Sequence, residues 1–330
     1  MRPETDTDTV IQTHGLGKAY GQVQALKDLD LRVPRHSIFG FLGPNGAGKT
    51  TTMKLLLGLI RPTGGSGTVF GLDIVRDSID IRSRIGYLPQ QPQFIPGMTA
   101  RETLRFTAHF FFAGPERKIE AQIDDMLDLV GLADKADRQV KGFSGGERQR
   151  LGLAQAQINE PDLLILDEPA AALDPIGRLD VLRVMERLRQ RTTIFYSTHI
   201  LDDVQQVSDT VAILNHGELV AQGPIEHLLA GSERPIYTLV LRGDLEATRA
   251  RIADLPWVNG IEVVRRDGAQ RNGAQSGGAG VTTWQVTVSD EAAAEAQLLR
   301  RVLADETITV TQFQRKRYEL EEIFMNIVQE

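Results

Sequence analysis

Gly43-Pro44-Asn45-Gly46-Ala47-Gly48-Lys49-Thr50-Thr51 follows directly on a compact apolar run, Ile38–Leu42, and leads into Thr51–Leu59, which reads as a helix. A glycine-rich turn between a buried strand and a helix start commits the chain to an α/β layer. Glycines let the backbone curl so that several N–H groups face one anion, and the helix N-terminus adds partial positive charge. The pattern is that of a phosphate loop, G-x-x-x-x-G-K-[ST]. Gly43, Pro44, Asn45, Gly46, Ala47, Gly48 and Thr51 are then expected to cradle the phosphates of the ligand. Lys49 is expected to reach the β- and γ-phosphates and the Thr50 hydroxyl to ligate Mg²⁺.

A phosphate loop needs a partner carboxylate at the end of another buried strand. Leu163–Leu166 is such a run and ends in Asp167 and Glu168. Asp167 is expected on Mg²⁺. Glu168 is placed to polarise an attacking water, a role commonly worth about 10²–10⁴-fold in rate. Ile194–Tyr196 reads as a further strand. Continuous apolar runs, rather than alternation, indicate parallel strands covered on both faces.

The 330 residues suggest two domains. Arg101–Ala113 and Ile119–Leu132 carry helix-period hydrophobicity, so residues of about 96–150 read as a helical subdomain within an α/β body. Composition shifts near Gly223–Pro224 and Gly231–Pro235, which sets domains at 1–228 and 229–330. Beyond the shift, Ile236–Leu241, Ile261–Val264, Thr282–Val288 and Thr307–Phe313 read as strands, separated by helices at Leu245–Leu255 and Glu291–Leu303. The order strand–helix–strand–strand–helix–strand predicts a small α+β ferredoxin-like domain. Trp257 and Trp284 provide it with a core, and Asp267–Gly280 reads as a long hairpin loop.

Composition mainly excludes. The chain has no cysteine, which removes disulfides, thiol chemistry and cysteine-ligated zinc. A net charge of −7 offers no broad basic face for nucleic acid. Met1–Thr9 is polar rather than a secretory signal, and no apolar stretch approaches the ~18–20 residues of a membrane span.

Gly142-Phe143-Ser144-Gly145-Gly146-Glu147 resembles the signature loop of the ATP-binding-cassette (ABC) ATPases, with Phe143 for leucine and Glu147 for glutamine. Other family positions follow in order. Tyr20 resembles the residue that stacks on adenine. Gln90, next to Gln91, resembles the glutamine that reaches Mg²⁺ and the attacking water. Leu173-Asp174-Pro175 resembles the loop that crosses the dimer interface, after three alanines at 170–172. His199 resembles the switch histidine at the γ-phosphate. Glu319–Phe324 resembles the ending of drug-resistance exporter ATPases.

The resemblance implies a P-loop NTPase of the ABC type that hydrolyses ATP with Mg²⁺. Ser144, Gly145, Gly146, Glu147 and Asp174 would contact ATP bound to a second ATPase subunit, in a homodimer or heterodimer. The work would go to a transmembrane permease subunit, with the chain peripheral on the cytoplasmic face of the inner or plasma membrane. Phe106, Phe110, Phe111 and Phe112 are the candidate docking edge. Competing expectations are an importer ATPase with a ligand-sensing C-terminal domain, a non-transport ABC ATPase, and an ATP-binding switch that barely hydrolyses.

Overall fold

A computed structural model describes residues 8–171, 173–230, 235–243, 245–267, 281–305 and 307–315. Ala172, most of the 266–281 loop and the Glu319–Phe324 tail lie outside the described residues. The chain divides into two compact units, the first running up to Leu228 and the second starting at Leu229.

The first unit is built on a six-stranded sheet. In spatial order it contains Glu218–Pro224, Thr210–Asn215, Ile38–Leu42, Thr193–Thr198, Leu163–Asp167 and Ile85–Leu88. Every pairing is parallel except that of Glu218–Pro224 with Thr210–Asn215. Leu163 and Ile165 enter one apolar core while Leu164 and Leu166 enter another, so the run is buried on both faces. Phe39 and Phe41 pack with tilted rings against Phe195 in the adjacent strand at ring separations of 5.7 and 5.2 Å.

One core is completed by an antiparallel sheet that the sequence reading did not anticipate: Thr9–Tyr20, Val23–Leu29, Arg32–Pro34, Gly64–Val69 and Leu72–Asp73. The other core lies under helices Ala100–Ala108, Glu116–Leu129, Gly145–Gln157 and Pro175–Leu188. The first of these helices stops at Ala108 rather than Ala113. Phe110 to Phe112 fold into a turn whose N–H groups reach back to Thr107 and Ala108, ahead of Gly114-Pro115. A capping box of Thr99 and Glu102 starts it.

Arg101 and Arg105 join this helix to the next. Arg105 pairs with Glu120, and Arg101 reaches Glu120 at 3.3 Å and Asp124 at 2.6 Å. The hydrogen bond from Arg105 is the main cause holding the Glu120 carboxyl below its ordinary value.

In the second unit, the sheet order is Val258–Asp267, Val281–Val288, Ile236–Arg242, Thr309–Arg315, antiparallel throughout. Numbered within the unit this is 2-3-1-4, the split βαβ arrangement. Tyr237, Leu239 and Leu241 share a face with Trp284, Val286 and Val288, and pack against Ile252, Ala294, Leu298 and Val302 of the two helices. The second strand extends beyond the expected Ile261–Val264 because the ladder to Val281–Val288 recruits its polar flanks.

Two outcomes follow from this packing. Folding lowers the Glu120 pKa, so its contribution is present above about pH 4.5 and is lost as the pH falls through the lowered value. Glu120→Gln is therefore expected to lower the thermal midpoint at neutral pH, and the gap should close as the pH falls through the lowered value; melts from neutral into acid pH check it. Trp284→Ala is expected to cost the second unit about 3–5 kcal/mol, read by denaturant unfolding.

Candidate nucleotide site

Parallel register brings the functional residues to one edge. Leu42 pairs with Thr198, Asp167 with Ser197, and Leu88 with Leu166. The segments leaving these strands carry Gly43, His199, Glu168 and Gln90, so all emerge at the carboxyl ends. That is where open α/β sheets receive ligands.

The loop itself is tightly seated. The Gly43 N–H donates to the Thr198 carbonyl at 3.2 Å, and a Cβ on Gly43 would stand 2.4 Å from the Leu214 carbonyl oxygen. Gly48 has φ of +107° and sits against the Ala25 carbonyl, so no other residue fits without displacement. The helix begins at Lys49, inside the loop rather than at Thr51. Lys49 is buried, and its Nζ donates to the Gly43 and Pro44 carbonyls at 2.6 and 3.1 Å. Burial pushes the Lys49 ammonium below its ordinary pKa, while Glu168 and Asp167 pull it back up.

Around it, the carboxylates form a connected cluster. Thr50 Oγ1 donates to Asp167 Oδ2 at 2.9 Å. Glu168 receives the Gln90 amide Nε2 at 3.0 Å, with Lys49 Nζ at 3.6 Å and His199 Nδ1 at 3.4 Å from its other oxygen. Lys49, Thr50, Gln90, Asp167, Glu168 and His199 are thus brought together, and Gln90 rather than Gln91 is the glutamine in place. Thr198 Oγ1 accepts the Ile200 N–H at 3.0 Å, and it reaches buried Asp203, which is paired with Arg178 on the Pro175–Leu188 helix. The loop bearing His199 is thereby tied to the helix that follows Asp174.

Hard oxygen donors suit Mg²⁺, which is usually held by one or two carboxylates together with substrate phosphates. The Thr50 hydroxyl and Asp167 carboxylate fit that chemistry, and the Gln90 amide oxygen is the remaining donor. Among the described residues, no cluster of three His, Cys, Asp or Glu side chains forms a metal cage.

Other expected residues stand apart. Ser144 caps the Gly145–Gln157 helix: its Oγ accepts the Glu147 N–H at 3.2 Å, and Glu147 Oε2 accepts the Ser144 N–H at 2.7 Å. Glu147 is buried and pairs with Lys135 at 2.9 Å. Its carboxylate therefore shapes the loop from behind, while Ser144 and Gly145 remain exposed. Glu147, expected among the ATP contacts of this loop, spends its carboxylate on the N-terminus of its own helix and on Lys135. Asp174 likewise spends its Oδ1 on the Gly177 N–H at 3.2 Å, capping its own helix. Among the described residues, no hydrogen bond or ion pair joins Ser144 or Asp174 to the Lys49–Glu168 cluster. Tyr20 is half-exposed, with Lys18 Nζ 5.1 Å from its ring centre.

Ser197 was missed by the sequence reading. It is wholly buried, donates to Asp167 Oδ1 at 2.6 Å and accepts the Glu168 N–H at 2.9 Å. Its signal was positional: it occupies the strand directly before Thr198-His199, level with Asp167.

The sequence profile of the ABC transporter family (ABC_tran) matches residues 26–171. The chain is 35% identical over 319 residues to the uncharacterized ABC transporter ATP-binding protein YxlF of Bacillus subtilis, covering 97% of this chain and 99% of the relative. It is 42% identical to the bacitracin transport ATP-binding protein BcrA of Bacillus licheniformis, over 67% of this chain and 71% of that one. Identity is 38% to the daunorubicin/doxorubicin resistance ATP-binding protein DrrA of Streptomyces peucetius, over 76% and 77%. Among solved structures, cbiO1 from Clostridium perfringens, part of the ABC transporter complex cbiONQ, aligns with a TM-score of 0.63 at 25% identity, over 76% of this chain and 96% of that one. With a relative matched along nearly its whole length and a phosphate loop seated on the parallel sheet of the fold, this chain belongs to the ABC transporter ATP-binding proteins, a family of P-loop ATPases.

Proposed function

We propose that the chain binds and hydrolyses ATP as the nucleotide-binding subunit of an ABC exporter and drives a separate transmembrane permease through ATP-dependent dimerisation. One observation carries the catalytic part: Lys49, Gln90 and His199 all converge on Glu168, directly beside the Thr50–Asp167 pair.

In this reading, Gly43 to Thr51 wrap the phosphates and Tyr20 stacks on adenine. Lys49 exchanges its two loop carbonyls for phosphate oxygens and neutralises charge that develops on them. Thr50, Asp167 and Gln90 hold Mg²⁺, which supplies further charge neutralisation on the phosphate oxygens. Glu168 orients and accepts a proton from the attacking water, and His199 completes the water-facing side. Phosphoryl transfer asks the protein mostly for such positioning and charge stabilisation.

Ser144, Gly145 and Gly146 present a hydroxyl and a helix N-terminus, a fitting cap for phosphate. They stand outside the Lys49–Glu168 cluster of their own chain. That separation supports a second subunit supplying this cap, with two ATP molecules shared between two chains.

Among the described residues no helix is long and apolar enough to cross a membrane. A permease subunit would provide that span and hold the chain at the cytoplasmic face. Phe106, Phe110 and Phe111 are 48, 72 and 46% exposed, and the first two meet edge to face at 5.2 Å. Beside them lies a recess of about 320 Å³, lined in part by Phe111, Phe112 and Ile119. Exposed rings beside an apolar recess suit a docking edge for a permease segment. The names of the relatives, given for bacitracin transport and daunorubicin resistance, favour export.

Glu168→Gln is expected to cut ATP turnover by about 10²–10³-fold while ATP binding persists, measured by phosphate release and nucleotide binding on the full chain. Turnover at the wild-type rate would sink the assignment. Replacing Phe110 and Phe111 together by serine is expected to abolish co-purification with the permease from membranes; retained co-purification counts against the docking edge.

A further inference from the structure

We infer that Ser197 is the positioning residue of this ATPase site: one hydroxyl sets the metal-side carboxylate of Asp167 and the water-side backbone of Glu168 at the same time. The inference rests on the ATPase reading above.

Ser197 lies in the Thr193–Thr198 strand after Phe195 and Tyr196, and is entirely buried. A hydroxyl in such surroundings is costly unless its bonds are made. Both are made here, and their direction is dictated by chemistry. An ionised Asp167 only accepts and the Glu168 N–H only donates. The hydroxyl proton therefore points to Asp167 Oδ1 at 2.6 Å, and a lone pair takes the Glu168 N–H at 2.9 Å.

The second Asp167 oxygen is met by Thr50 at 2.9 Å, so the carboxylate plane is fixed by two hydroxyls from separate stretches of chain. Glu168 adopts φ of +49°, a left-handed backbone that side chains other than glycine rarely take. Such a conformation persists where the surroundings over-determine it, and it is frequent at sites under functional constraint. Ser197 is the acceptor that holds the N–H of that residue. Rotating the Ser197 side chain breaks both bonds together, so the positions of the metal ligand and of the water-activating carboxylate are coupled through one torsion.

The role differs from general strand packing in what it controls. Loss of packing alone lowers stability but leaves the chemistry of the folded fraction intact. Loss of positioning lowers kcat in the folded protein and raises the Mg²⁺ concentration required, while ATP affinity stays near wild type because the phosphate loop keeps its own seating bonds, Gly43 N–H to the Thr198 carbonyl and Lys49 Nζ to the Gly43 and Pro44 carbonyls.

The test uses the full chain as wild type, Ser197→Ala, Ser197→Cys and Ser197→Thr, with thermal melts, binding of a fluorescent ATP analogue, single-turnover hydrolysis and Mg²⁺ titration. Ser197→Ala and the nearly isosteric Ser197→Cys are expected to lose about tenfold or more in kcat, with the analogue's affinity within about threefold of wild type. Half-maximal Mg²⁺ should rise in both, and Ser197→Thr should restore kcat by returning the hydroxyl. If Ser197→Ala fails to fold, Ser197→Cys carries the same comparison. A folded alanine or cysteine variant with kcat within about twofold of wild type overturns the inference, as does a folded threonine variant as slow as alanine. A wild type without turnover, or undiminished turnover in Glu168→Gln, instead overturns the ATPase reading itself.

Discussion

The Asp167 carboxylate accepts a hydrogen bond from the Thr50 hydroxyl on one oxygen and from the Ser197 hydroxyl on the other. These two bonds join the phosphate-loop helix, the Leu163–Asp167 strand and the Thr193–Thr198 strand, which are far apart in sequence. Because Asp167 is almost fully buried, its charge is tolerable only with partners of this kind. The constraint then passes outward. Glu168 follows Asp167 in the chain, His199 follows Ser197 by two residues, and Lys49 precedes Thr50, so holding one carboxylate locates the backbone of all three.

The sheet makes that arrangement possible. Strands covered on both faces by separate cores have little freedom to slip, since a shift of one residue would exchange every side chain between the two cores. Register and burial together keep the strand ends level, and the site inherits its geometry from packing several residues away. The second unit is built by different logic. Its two central strands alternate buried and half-buried residues, with helices packed around Trp284.

Legibility in the sequence followed the range of the forces involved. The phosphate loop and the Asp167-Glu168 pair depend on contiguous residues and could be read directly. Buried strands could be read because parallel pairing demands unbroken apolar runs. The antiparallel sheet could not, since Gly64–Val69 reads GGSGTV and carries almost no side-chain pattern; its pairing with Thr9–Tyr20 decides it. Ser197 is one serine among many until a strand register sets it level with Asp167. Glu147 shows the converse limit. Its place in a phosphate-facing motif is visible from sequence, but whether its carboxylate faces outward or caps its own helix depends on Lys135, a residue in a separate turn.

Lys49 carries a last consequence. Its side chain is 5% exposed and its ammonium is already bonded to two loop carbonyls, so most of its hydration is given up on folding rather than on binding the ligand. An incoming phosphate therefore meets a cation already buried and held by carbonyls, and much of the dehydration penalty has been transferred from the binding step to the folding step. A chain built this way is least comfortable when alone and is tightened by its nucleotide, because mass action returns to the folded state what desolvation took from it. Affinity and fold stability are, at this one side chain, two accounts of the same hydration shell.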